Sequence, residues 1–265
     1  MATFNGIIKA DGNSLVRRPT TAFARILESP YQFSVLPYAQ VNNLVGWFNN
    51  GDGVTTATGV SAWVDRVSGA SLAQGTGALQ PTYTQQVATL NGRNKAAFAS
   101  TQFLSAGDVF DIRTNTGYTI QIYCKLSVSL GRFVFGKSVQ ANAPTTAGEY
   151  GFYVSGVNII VGKFFDTAVK TTGSVTVDPN NFYLFTLVVN ITNSLLSAYV
   201  NEALITTAAI ANTVVDYNNG SAFQIGSSGS SVVLDTLEAL VYQTALTQAE
   251  VAQNSIAMRG KYGQP

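Results

Sequence analysis

Residues 118–126 read YTIQIYCKL, and their hydropathy alternates with a period of two. Tyr118, Ile120, Ile122, Cys124 and Leu126 fall on one side of an extended chain, with Thr119, Gln121, Tyr123 and Lys125 on the other. Only a pleated strand puts alternate residues on one face, so this stretch is read as a strand with one face buried. FYLFTLVVN (182–190) is apolar on both faces, which predicts a central strand covered on both sides. Further strands are expected in RFVFG (132–136), YGFYVS (150–155), NIIVGKF (158–164), LLSAYVN (195–201), SAFQIG (221–226) and TLEALVY (236–242). Many short strands separated by Gly-rich turns predict an all-β antiparallel sandwich or jelly roll of two sheets.

The C-terminal end breaks this pattern. In ALVYQTALTQAEVAQNSIAMRGKYG (239–263) a strand runs into a capping box, Thr247-x-x-Glu250, and then a short helix. Leu246 and Val251 occupy the staple positions on either side of the cap. Gly260 is the expected left-handed terminator of that helix. Leu237, Ala239 and Val241 are expected on one face of the preceding strand.

Composition removes whole classes of chemistry. The chain has no histidine, so neither a Ser–His–Asp nor a Cys–His site can be built, and no imidazole can ligate a metal. Charged residues make up 11% of the 265 residues, against about 25% in an average domain. A surface of Ser, Thr, Asn, Gln and Gly repels its neighbours weakly and suits a protein packed against others. A net charge of +1 offers no long-range field for nucleic acid. No apolar run reaches the length of a membrane span, and the N-terminal stretch MATFNGIIKADGN lacks the pattern of a secretory signal. Cys124 is alone, so no internal disulfide is expected.

Residues 1–40 form a separate expectation, an N-terminal arm preceding a domain at 41–265. The arm mixes Arg17, Arg18 and Arg25 with Phe23, Tyr31, Phe33 and Tyr38, and Pro19, Pro30 and Pro37 interrupt any long regular element. It is too apolar for a free disordered tail, so it is expected to lie on a surface, either its own domain's or a neighbouring subunit's. Arg17, Arg18, Phe23, Arg25, Tyr31 and Phe33 are the candidate partner-binding residues. The arm's local charge is too small to grip a nucleic-acid backbone.

In order along residues 44–263, LVGWFNNGDGV, SAWVDRVSGASLAQ, LQPTYT, LNGRNKAAFASTQFLSA, RFVFGKS, FTLVVN, AYVNEALI, QIGSS and LDTLEALVYQTALTQAEV resemble the laminin-G-like and concanavalin A-like jelly-roll superfamily. The final segment is similar to that family's ending, E-x-x-x-Y-x-x-x-L-(S/T)-x-x-E. One departure is Asn201-Glu202, where relatives often carry Asn-Gly; Glu at positive φ is costly, so another turn type is expected. Relatives include β-glucanases with two closely spaced glutamates on one strand. Here no two of Glu28, Glu149, Glu202, Glu238 and Glu250 have that spacing. Asp235 and Glu238, three apart, are expected on opposite faces, with Glu238 a structural hydrogen-bonding residue. Asp108 and Asp111 read as a solvated loop. Asn49, Asn50 and Asp52 in NNGDG lack the full calcium-loop pattern and read as a turn. Trp47 and Trp63 read as core.

These readings leave no catalytic residue, no metal ligand and no cofactor. The expected role is a non-enzymatic virion structural protein, for capsid decoration or attachment, as the resemblance implies for tailed phages. It would dock by its arm on capsid or tail subunits, as a homo-oligomer or otherwise, and expose the jelly roll. The alternative is a lectin or tail receptor-binding protein recognising a host surface glycan, with Tyr150 and Tyr153 beside the loop at 140–149 as candidate sugar-stacking residues.

Overall fold

The computed structural model describes residues 38–112, 117–128, 133–138, 144–211, 220–227 and 232–264. The six candidate partner-binding residues of the arm lie outside these. Two antiparallel sheets face each other. The first contains β1 (Leu44–Asn49), β5 (Thr82–Val87), β6 (Arg93–Phe98), β8 (Tyr118–Val128), β13 (Phe182–Asn190), β14 (Leu195–Val200), β15 (Ala203–Ala209) and β17 (Val232–Tyr242). Its order is β15-β14-β13-β8-β17-β6-β5, with β1 also beside β17. The second contains β2 (Val54–Thr56), β3 (Val60–Val64), β4 (Ser71–Ala73), β7 (Phe103–Ala106), β9 (Phe133–Lys137), β10 (Tyr150–Gly156), β11 (Ile159–Phe165), β12 (Val169–Thr176) and β16 (Phe223–Gly226). It runs β12-β11-β10-β9-β16-β7-β4-β3-β2. One helix, α1 (Gln248–Tyr262), closes the domain. Among the described residues no helix is long and apolar enough to cross a membrane.

The alternating face of β8 lies where expected. Tyr118, Ile120, Ile122, Cys124 and Leu126 enter the core between the sheets with Trp63, Phe135, Phe152 and Phe185. Most of the opposite face is covered too, with Lys125 keeping contact with solvent. Thr119, Gln121 and Tyr123 are fully buried, because α1 lies across this side of the first sheet. Tyr123, Leu184, Leu240, Tyr242, Val251, Met258 and Tyr262 form a second apolar layer there, joined by Trp47. β13 is covered on both sides as expected, sending Phe185, Leu187 and Val189 inward and Leu184 and Val188 towards the helix layer.

The capping box is formed: the Thr247 hydroxyl accepts from Glu250 N–H and the Glu250 carboxylate accepts from Thr247 N–H. Leu246 and Val251 are buried at the staple. The terminator is Gly263 rather than Gly260. Gly263 takes φ 64°, and the helix passes through Gly260, which keeps helical dihedrals at modest cost. At the Asn201-Glu202 turn, which joins Val200 to its partner Ala203, only Asn201 takes a positive φ, 54°, so Glu202 is spared the left-handed dihedral that a type I′ turn would demand of it.

A bulge in β17 overturns a second reading. The register on β8 shifts between Thr236, opposite Cys124, and Glu238, opposite Tyr123. The extra residue puts Asp235 and Glu238 on the same outer face and moves Leu237 into the helix layer, away from Ala239 and Val241. Asp235 pairs with Lys95 at 2.9 Å and Lys125 at 3.2 Å. Glu238 is buried and accepts from Tyr38 Oη at 2.8 Å, Tyr262 Oη at 2.9 Å, Lys261 Nζ at 2.7 Å and Trp47 Nε1. The two carboxylates share a face but serve different cations. Glu238 is the structural hub that ties the chain entry at Tyr38, strand β1 and the end of α1 to β17.

Candidate functional site

The sequence-predicted sugar platform does not exist. Tyr150 and Tyr153 are both fully buried and lie on opposite faces of β10, in the middle of the second sheet. Tyr150 donates to the Phe110 carbonyl at 2.6 Å, and Tyr153 packs edge-on to Phe133 with ring centroids 5.4 Å apart. Neither ring has a face free for a ligand. Residue spacing along β10 was legible, but its position between β9 and β11 was not.

The described surface does carry a polar cleft of about 540 Å³ at the opposite edge of the sandwich. It forms where the edge strands of both sheets, β5 and β2, meet the loop between β1 and β2. That loop is NNGDG. Asn49 Oδ1 accepts from Gly51 N–H at 2.8 Å, and Asp52 N–H donates to Asn49 O at 3.0 Å, which makes the tight turn expected of Asn and Gly here. Gly53 has φ 77°, and a Cβ there would sit 2.5 Å from the Val64 carbonyl, so only glycine fits. Asp52 pairs with Arg66 at 2.8 Å.

Asn50 makes the cleft's foundation. β17 is long enough to pair with β6 along 234–236 and with β1 along 238–242. Asn50 fills the junction, its N–H reaching Leu237 O at 3.3 Å and its Nδ2 the Thr236 carbonyl. Its own carbonyl then accepts from Tyr83 Oη and from Asn94 Nδ2, the latter at 3.1 Å. Asn94 Nδ2 also donates to Tyr83 Oη at 2.7 Å, and Asn94 Oδ1 accepts from Gln86 N–H at 3.0 Å. Burial raises the Tyr83 phenol above its ordinary pKa; the Asn94 hydrogen bond lowers it and the Asp52 charge raises it again. Tyr83 therefore remains a protonated donor across the physiological range. A bulge in β5 between Thr84 and Val87, with Gln86 at φ 51°, turns Gln85 and Gln86 to the cleft, and Arg93 opens β6 beside them.

Beside Val54 and the glycines, the lining is thus amides, the Thr56 hydroxyl, one phenol, one guanidinium and one carboxylate, Asp52, on strands braced by backbone contacts. These groups can hydrogen-bond hydroxyls and carboxylates in fixed directions. A glycosidase needs two carboxyls flanking the bond, and Asp52 stands alone among the lining residues. Among the described residues no group of three His, Cys, Asp or Glu is placed to hold a metal. Sequence reading passed over Tyr83, Gln85, Gln86, Arg93 and Asn94. Tyr83 falls in LQPTYT and Arg93 and Asn94 in LNGRN, both read as marks of the fold, while Gln85 and Gln86 follow directly after the first; the only local signal was their density of amides.

The architecture is that of an antiparallel β-sandwich of the jelly-roll type, two sheets closed by one C-terminal helix. No protein-family model matches the chain, and no curated protein matches it in sequence. Similar solved structures include the binding domain of Botulinum neurotoxin DC in complex with rat synaptotagmin II, at TM-score 0.53 and 9% identity over 84% of this chain and 52% of that one. The binding domain of Paraclostridial Mosquitocidal Protein 1 has TM-score 0.55 and 12% identity over 84% of this chain and 56% of that one. Trypanosoma rangeli sialidase in complex with sialic acid has TM-score 0.55 and 14% identity over 84% of this chain and 34% of that one. At such identities the likeness is one of fold, and the chain spans about half the length of the toxin domains.

Proposed function

We propose that this chain is a non-enzymatic binding module whose edge cleft recognises a surface glycan. The observation that carries this reading is the cleft itself: convergent amides, Tyr83 and Arg93 on a rigid strand frame, with a lone carboxylate. Its fold is shared with a neurotoxin binding domain solved in complex with SialylT and with the sialidase bound to sialic acid, which supports a saccharide as the ligand. Wild-type protein is expected to bind a subset of a glycan array without turning it over. Asn94→Ala and Arg93→Ala should each weaken that binding at least about tenfold, the loss of one well-placed polar contact, with unchanged near-UV circular dichroism. A wild-type protein that binds no glycan at millimolar concentration would end this reading.

A second reading is favoured by the way the chain enters the domain. Tyr38 and Ala39 are buried beneath α1, and Ala39 N–H donates to Asn254 Oδ1 at 2.7 Å. The described domain thus begins on the face covered by the helix. We propose that residues 1–37, which precede it, attach the module to virion subunits. A protein lacking residues 1–37 is expected to fold and bind glycan but not to load onto particles; normal loading would refute the attachment role.

A further inference from the structure

Lys137 is fully buried, and its ammonium lies between two carboxylates. Nζ is 2.5 Å from Asp111 Oδ1 and in contact with Asp108 Oδ1, with the Val109 carbonyl at 3.3 Å. Both side chains of the Lys137–Asp111 pair have zero exposure, whereas Asp108 is 35% exposed. Every other ion pair among the described residues keeps at least one partner in contact with water. The surroundings are aromatic: Phe110 stacks edge-on to Phe223 at 4.8 Å, and the Tyr150 hydroxyl seals the Phe110 carbonyl. The sequence had marked Asp108 and Asp111 as a solvated loop. Instead this loop is folded inward, with Phe110 at φ 60°.

A buried ammonium and carboxylate have lost their hydration, and nothing in glycan binding uses them. Proton transfer within this contact pair would leave an amine against a carboxylic acid with no solvent between them. A neutral amine against a protonated carboxyl is a nucleophile against an electrophile, held at contact distance. We propose that Lys137 and Asp111 become joined by an isopeptide bond, with Asp108 as the proton-carrying residue. The ammonium first gives one proton to Asp111. Nζ then attacks Asp111 Cγ while Asp108 takes a second proton from nitrogen and hands it to the departing hydroxyl. The Cγ–O bond breaks, the Nζ–Cγ bond forms and one water leaves. Ammonium plus carboxylate become amide plus water, with Asp108 unchanged and no oxidant or cofactor consumed. The partial exposure of Asp108 gives the water a way out.

The bond closes a span of 26 residues. Lys137 ends β9, which pairs with both β16 and β10 in the middle of the second sheet. Asp111 lies on the crossover that carries the chain from β7 to β8 in the first sheet. The cross-link therefore staples the two sheets at their junction, where a load between ligand and attachment point would otherwise part them.

The test is the intact mass of the full-length protein under denaturing conditions. It should be lighter than the sequence mass by one water, and peptide mapping should recover a branched peptide joining Lys137 to Asp111. Lys137→Ala and Asp111→Ala should restore the full mass, and Asp108→Asn should slow the loss of water at least about tenfold. A wild-type protein that keeps its full mass after prolonged incubation overturns the proposal whatever the variants do. So does a water lost elsewhere in the chain, or a branch at Asp108. Bond formation by Asp108→Asn at the wild-type rate overturns the role given to Asp108. Glycan binding is measured separately, so neither result decides the other.

Discussion

Replacing Glu238 by alanine is expected to destabilise the domain by about 3–5 kcal/mol, the cost of removing one member of a buried charged network. The carboxylate holds four donors at once. Without it the Lys261 ammonium, with a side chain only 13% exposed, has lost its counter-ion. The Tyr38 and Tyr262 hydroxyls and the Trp47 indole N–H lose their acceptor as well. Urea unfolding should show a lower midpoint with the slope retained, and the melting temperature should fall by about 10 °C for a chain of this size. Glu238→Gln keeps an acceptor but turns an amide N–H₂ into a site that needs only acceptors, so its loss should be intermediate. A change below about 1 kcal/mol in Glu238→Ala would refute the hub role.

A loss of similar size is expected from one added methyl group. Gly136 lies in β9 at φ 137°, opposite Gly151 of β10. A Cβ at Gly136 would sit 2.3 Å from the Tyr150 carbonyl oxygen and 2.6 Å from Gly151 Cα. Both atoms are backbone in a paired strand, so no rotamer change relieves the clash. Gly136→Ala combines a strained dihedral with overpacking, together about 4 kcal/mol. Gly107→Ala is the control, since its Cβ meets nothing within 4 Å, and it should stay within about 0.5 kcal/mol of wild type. Equal stability of the two variants, read by urea unfolding, would show that the strands part more easily than their packing implies. The typical reserve of a domain is about 5–15 kcal/mol, so either of the two damaging substitutions removes a large share of it.

Much of the fold was legible in short stretches. The strands at 118–126, 150–155, 158–164, 182–190 and 195–201 were read from hydropathy that alternates or stays apolar, and the structure places strands there. The edge strands β5, β12 and β15 were not read. KTTGSVT and ALITTAA carry no large apolar face, because an edge strand at a sandwich rim has little core to fill. Trp47 and Trp63 were read as buried, and both are. That Trp47 serves the helix layer and Trp63 the core between sheets depends on which strand each stands beside.

The cleft was the least legible part. Its groups come from Asn49–Gly53, from 83–86 and from 92–94, and they converge because β5 and β6 sit at the edge of one sheet and β2 at the edge of the other. No periodicity marks a residue as facing a cleft rather than plain solvent. Tyr150 and Tyr153 drew attention because aromatic side chains beside a loop suggest a platform, yet burial decides whether a ring is offered, and burial is set by neighbouring strands.

By itself the sequence determined strand periodicity, the Thr247–Glu250 cap, the absence of imidazole chemistry and the all-β class. Each depends on a residue and its near neighbours or on composition. Tertiary structure alone decided the burial of both faces of β8, the bulge that aligns Asp235 with Glu238, the Asn50 junction beneath the cleft, and the enclosure of Lys137 by Asp108 and Asp111. These arise from partners separated by tens to hundreds of residues, as with Tyr38 and Glu238, 200 positions apart. A local pattern specifies which way a side chain points along its own strand; only the packed sheets specify what it meets.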